Sequence, residues 1–256
     1  MDYQQALQHI LTRQTDTIAP HTLANGEQVW VRRVGKTVPQ WRYRLLGLIA
    51  RTLKLGALTP VPNFGGTTAL QTEAKRLQQL ASQNINAPHL LAQVADGIMF
   101  SHLGNQNMID RLQQADTALQ DWQLGLHSLR NLHQQGGYLS QAFCRNIIYQ
   151  NNGELGFIDF EDDPAEFMSL DNCQIRDYLC YLQSSIIWLH RHGKMIQAVA
   201  TWQNFEATLP EHIRHQLRRT VHKIRWLRHI KSDALGKDTL RLATLAELFY
   251  LSQNPA

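Results

Sequence analysis

The chain holds 256 residues, with 25 Lys and Arg against 21 Asp and Glu, a formal charge of +4 and 43% hydrophobic residues. That length supports a sizeable core in one large domain or two small ones, and average apolar content with 18% charged residues excludes a wholly disordered chain. Cys144, Cys173 and Cys180 are too few for a disulfide scaffold and lack metal-ligand spacing, so a reducing, cytoplasmic compartment is expected.

The opening residues MDYQQALQHILTRQTD show no basic segment followed by an apolar run, so no signal peptide is expected. No stretch approaches the ~20 apolar residues of a spanning helix, which leaves at most a peripheral contact with the inner membrane. In chain order, residues 4–12 read as a short helix, Asn25-Gly26 as a turn, and Gln28–Val34 as an alternating strand. Positions 30–54 are rich in Arg and Lys and hold no acidic residue. Within them, 41–54 fits a helix with Leu45, Leu46, Leu48, Ile49 and Leu53 on one stripe among Arg42, Arg44, Arg51 and Lys54. Two readings stay open for it: its leucines pack onto neighbouring strands, or it lies on an anionic lipid surface.

Pro60, Pro62, Gly65 and Gly66 break that pattern. A helix from Thr67 to about Gln83 follows, with Leu70, Ala74, Leu77 and Leu80 on one face. Leu90–Ala95 and Gly97–Phe100 read as strands around an Asp-Gly turn. Beyond Gly104 helices dominate. One is expected over 108–135, stopped by Gly136-Gly137, and others at 172–192, 195–204, 211–230 and 238–252. Between them, Ile147–Gln150 and Gly156–Phe160 form a hairpin around Asn-Asn-Gly. The layout predicts an α+β protein: a small strand-plus-helix lobe over 1–103 and a larger helical lobe over 104–256.

The ordered run Leu132-His133-Gln134-Gln135-Gly136, then Arg145-Asn146, then Ile158-Asp159-Phe160 resembles the protein-kinase-like superfamily. The likeness is to its compact bacterial branch of lipopolysaccharide-core sugar kinases, Rio-type kinases, aminoglycoside phosphotransferases and short serine/threonine kinase-like proteins. It implies a two-lobed fold that uses ATP and Mg²⁺ to phosphorylate a sugar of a glycolipid or a protein hydroxyl. Asn146 and Asp159, thirteen residues apart, match the spacing of the superfamily's two metal ligands. The resemblance further implies that Arg32 or Arg33 stands at the phosphate-binding lysine position, that Glu73 pairs with it, and that His133 and Asp177 brace the catalytic loop. At the catalytic aspartate position, five residues before Asn146, stands Gln141, which accepts no proton as a carboxylate does.

Plainer readings accompany these. Glu161, Asp162 and Asp163 are expected as a solvated loop rather than extra metal ligands. The histidines show no paired ligand spacing, Cys144 reads as buried filler, and the six tryptophans as core. Three functions therefore stand side by side: a phosphotransferase, slow because of Gln141; a non-catalytic module of the same fold that binds nucleotide or a partner; and a basic helical binder of lipid surfaces or, less favoured, nucleic acid.

Overall fold

The computed structural model describes residues 2–37, 57, 61, 62, 64–230 and 237–254. The predicted 41–54 helix, and Trp41 with it, lies outside them. Helix α1 (Tyr3–Leu11) is capped by Asp2, whose carboxylate accepts from the amides of Gln4 and Gln5. An antiparallel sheet follows, built from β1 (Ile18–Thr22), β2 (Gln28–Arg33), β3 (Leu90–Val94) and β4 (Gly97–Ser101) in the order β1-β2-β4-β3. Sequence periodicity misses β1, because it carries Pro20, which a strand tolerates only at a sheet edge.

The two-residue period of β2 sorts its side chains. Val29 and Val31 join Leu7, Leu23, Ala92 and Met99 in a small core beneath α1, while Trp30 packs against the main core on the opposite face. Helix α2 (Gly66–Ser82) buries the predicted Leu70, Ala74, Leu77 and Leu80, and buries Glu73 and Arg76 with them. Ahead of it, Gly65 adopts φ +63° and bridges to Thr37. A Cβ there would collide with the Lys36 carbonyl, so glycine is required.

The helix expected over 108–135 is two. Helix α3 (Met108–Leu112) begins with a reciprocal cap between Asn107 and Asp110, and α4 (Ala118–Gln134) begins after a turn. A second antiparallel sheet joins β5 (Gln106–Asn107), β6 (Ile147–Tyr149) and β7 (Leu155–Phe157). The last strand stops short of the expected end, leaving Ile158–Phe160 as irregular backbone. Four helices complete the chain: α5 (Leu170–Arg191), α6 (Met195–Ala207), α7 (Glu211–His222) and α8 (Lys237–Gln253). The helix expected over 211–230 ends at His222 and passes into a 3₁₀ turn at Arg225–His229. Among the described residues, no helix is long and apolar enough to cross a membrane.

One apolar core spans α2, β4 and the helices, with α5 at its centre. Trp122 and Trp202 are fully buried, as expected, but Trp30 and Trp188 are only half-buried and Trp226 is exposed. Helices α4 and α5 approach closely at Gly125, where an added Cβ would strike the phenol of Tyr181. That phenol donates to the Trp122 carbonyl at 2.7 Å, so it has no room to retreat. Gly125→Ala is therefore expected to cost about 1–3 kcal/mol through overpacking, read as a lower urea midpoint. An unchanged midpoint would show that this crossing is loose.

Candidate functional site

A cavity of about 340 Å³ opens between the sheet, α2 and the segment that follows β7. One end is apolar, walled by Trp30, Phe100 and Leu103; the other carries Arg32, Glu73, Asn146, Asp159 and Glu161.

At the charged end, Arg32 reaches from β2 to Glu73 on α2, with Nε 2.6 Å from Oε2. Its Nη1 also donates to Glu161 Oε1. Arg33 points elsewhere and donates to the Gln14 carbonyl, so of the two arginines only Arg32 belongs to this group. Across the cavity, Asn146 Nδ2 donates to Asp159 Oδ2 at 2.9 Å and to the Gln141 carbonyl at 3.1 Å. Asp159 holds φ +74°, a left-handed conformation rarely adopted by a residue with a Cβ. Strain of this kind costs ~1–3 kcal/mol and persists only where neighbours over-determine it. Here Ile158 N donates to the Asn146 carbonyl at 2.9 Å, fixing the backbone just before the turn.

Among the described residues lining this end, the carboxyls of Glu73, Asp159 and Glu161 stand beside the Arg32 guanidinium. Burial pushes the Glu73 carboxyl up to about 7; Arg32 opposes this, while Glu161 and Asp159 add to it. Burial also raises Asp159, helped by Glu161 and opposed by Arg32 and Asn146. For Arg32, burial works against the charge, but Glu73 and Glu161 outweigh it and the guanidinium stays protonated. The Asn146 amide and the Asp159 carboxylate offer hard oxygens of the type that Mg²⁺ prefers, and one or two protein ligands suffice when phosphates and water complete the shell. Among the described residues, no three His, Cys, Asp or Glu side chains are grouped to hold a metal by themselves.

The loop bearing Gln141 is pinned from beneath. Asp177, fully buried on α5, accepts from Leu139 N at 2.8 Å and lies 3.0 Å from His133 Nε2. Gln174 donates to the carbonyls of His133 and Gly137, each at 3.2 Å. From α2, Arg76 donates to the Tyr138 carbonyl at 2.6 Å and stacks 3.9 Å over its ring. Sequence reasoning missed Arg76, although a charged residue three places after Glu73 on an apolar helix face is a readable signal.

Gln141 stands at the loop's outer side. Its side-chain Nε2 donates to Asp162 Oδ2 at 3.4 Å, and its Oε1 accepts from Arg145 Nη2 at 3.4 Å. Asp162 and Asp163 are buried, not the solvated pair expected from sequence. Asp163 accepts from the Tyr138 hydroxyl at 2.8 Å, and burial pushes Asp162 up to about 6. Cys144 is also buried, its thiol pushed up to about 12 by desolvation, which suits a packing role. No family model and no curated protein matches the chain.

The raised carboxyl of Glu73 has a thermodynamic consequence. Between its ordinary value of 4.5 and about 7, the folded chain holds a proton there that the unfolded chain has lost. Stability contributed by this group is full below that window and falls as pH rises through it. Urea midpoints across the window should decline less steeply in Glu73→Gln than in the wild type; identical slopes would refute the assignment.

Proposed function

We propose that the chain is an ATP- and Mg²⁺-dependent phosphotransferase with a two-lobed, protein-kinase-like architecture. The observation that carries this reading is the meeting of the Arg32–Glu73 and Asn146–Asp159 pairs on the walls of one cavity. The β6–β7 hairpin brings Asn146 to Asp159, but Arg32 on β2 and Glu73 on α2 reach the same cavity from distant parts of the chain.

In this reading the apolar end of the cavity takes the adenine, between Trp30 and Leu103. Arg32, oriented by Glu73, faces the phosphates and gives a planar fork where a lysine would give a point charge. Incoming phosphate oxygens compete with Glu161 for that fork. Asn146 and Asp159 would hold Mg²⁺, which supplies charge neutralisation on the phosphate oxygens. Gln141 faces the acceptor hydroxyl, a sugar of a glycolipid or a side chain of a protein. Its amide orients that hydroxyl by hydrogen bonding and takes no proton. Positioning and charge neutralisation dominate phosphoryl transfer, so slow turnover is compatible with an amide.

Gln141 also favours a second reading, a nucleotide-binding module that transfers nothing. The two separate experimentally. ATP with Mg²⁺ should raise the melting temperature of the wild type, as any ligand selective for the folded state does. Asp159→Asn should abolish the Mg²⁺-dependent part of that rise, because asparagine tolerates the left-handed backbone while losing the charge. Absence of any ATP effect on the wild type would remove both readings.

Turnover decides between them. Gln141→Asp restores a carboxylate and should raise phosphate transfer or ATP hydrolysis by on the order of 10²–10⁴-fold, the range of general-base catalysis. Gln141→Glu controls for reach. A fast wild type slowed by both carboxylates would show that the acceptor proton leaves by another route.

A further inference from the structure

A strongly basic surface lies on the helical side of the molecule. Between Glu211 and Ile230 the chain carries six Arg or Lys residues and four histidines, with Glu211 as the single acid. Helix α7 is sharply two-sided: Ile213, Leu217 and Val221 are buried, while Arg219, His222 and Lys223 are exposed. The following turn continues the exposed basic face with Arg225 and His229. Among the described residues there, Arg218 bonds to the Glu206 carboxylate at 2.8 Å.

Apolar side chains border this face at both ends. Trp226 is 61% exposed, and Arg228 lies 4.2 Å over the ring of Tyr250, itself 39% exposed. At the other end, Gln216 donates to Asn172 at 2.7 Å and His212 lies 3.8 Å from Asp171, joining α7 to the start of α5. Phe167 and Leu170, each 43% exposed, stand at that start. Four of the six large hydrophobic residues exposed among the described ones therefore flank the basic face.

We propose that the α7 face and its 3₁₀ turn form a docking surface for a bilayer rich in anionic phospholipid. Basic side chains along a helix face meet a sheet of phosphate headgroups, and an exposed indole suits the interface, where its ring is half in contact with acyl chains. Phe167, Trp226 and Tyr250 also offer rings on which bases stack, so single-stranded nucleic acid is the competing occupant that the experiment must separate from lipid. The apolar side of α7 is committed to the core, so the contact is adsorption with an aromatic anchor and not insertion of the helix. This surface is separate from the cavity and stands whether or not phosphate is transferred there.

Sedimentation of the chain with vesicles tests it. The wild type should pellet with phosphatidylcholine vesicles containing phosphatidylglycerol, less so at high salt, and not with phosphatidylcholine alone. The triple variant Arg219→Glu, Lys223→Glu, Arg225→Glu should lose about tenfold or more in binding. Trp226→Ser should weaken binding with the charges intact. All four positions are exposed, so folding should survive, checked by circular dichroism and an unchanged urea midpoint. No pelleting of the wild type above neutral vesicles would overturn the proposal. So would triple-variant binding equal to wild type, or a single-stranded oligonucleotide captured by this face while vesicles are not.

Discussion

A buried ion costs several kcal/mol unless another charge and hydrogen bonds answer it, and Arg32 is the charge that answers Glu73 and Glu161 here. Arg32 spans from the sheet to α2 and on to the segment after β7, so a single side chain ties three parts of the chain together. Burial outweighs Arg32 at Glu73, holding its carboxyl up to about 7, and raises Asp159 as well. Replacing Arg32 by a neutral residue would strand Glu73 in the core, which is why the pair constrains fold and site at once.

The second constraint is the loop over 137–146, which has no regular backbone ladder before its short 3₁₀ turn. Its polar groups are satisfied instead by side chains from beneath: Asp177 and Gln174 from α5, and Arg76 from α2. A loop held at this many points presents Gln141 and Asn146 on a fixed frame, as preorganised sites need. The strained turn at Asp159 belongs to the same design, since its carboxylate is placed against Asn146 at a conformational cost.

Much of this was legible in the residues. Alternation in β2 showed that Arg32 and Arg33 must face opposite ways, and the leucine period of α2 was readable, but Glu73 was expected in the site only through the resemblance. The hairpin of β6 and β7 followed from its Asn-Asn-Gly turn. Other features left weaker traces. The break between α3 and α4 falls between Gln113 and Thr117, and Thr117 makes no side-chain cap that would announce it. The acidic run at Glu161–Asp163 reads as solvent-facing by composition, yet the hydroxyls of Tyr138 and Ser140, donating to the Asp163 carboxylate and the Asp162 carbonyl, draw it inward. Tertiary partners far along the chain decide such cases, and a local window does not contain them.

Pro20 carries a consequence beyond the missed strand. The amides of Arg33 and Leu23 bond across to Thr17 and Glu27, which makes Ala19 and His21 the inward-bonding positions of β1 and turns the Pro20 nitrogen toward solvent. At that point the outer rim of the sheet offers no N–H to a passing strand. A second chain approaching β1 finds its hydrogen-bond template interrupted at the middle residue, so this rim resists the edge-to-edge growth by which open sheets polymerise.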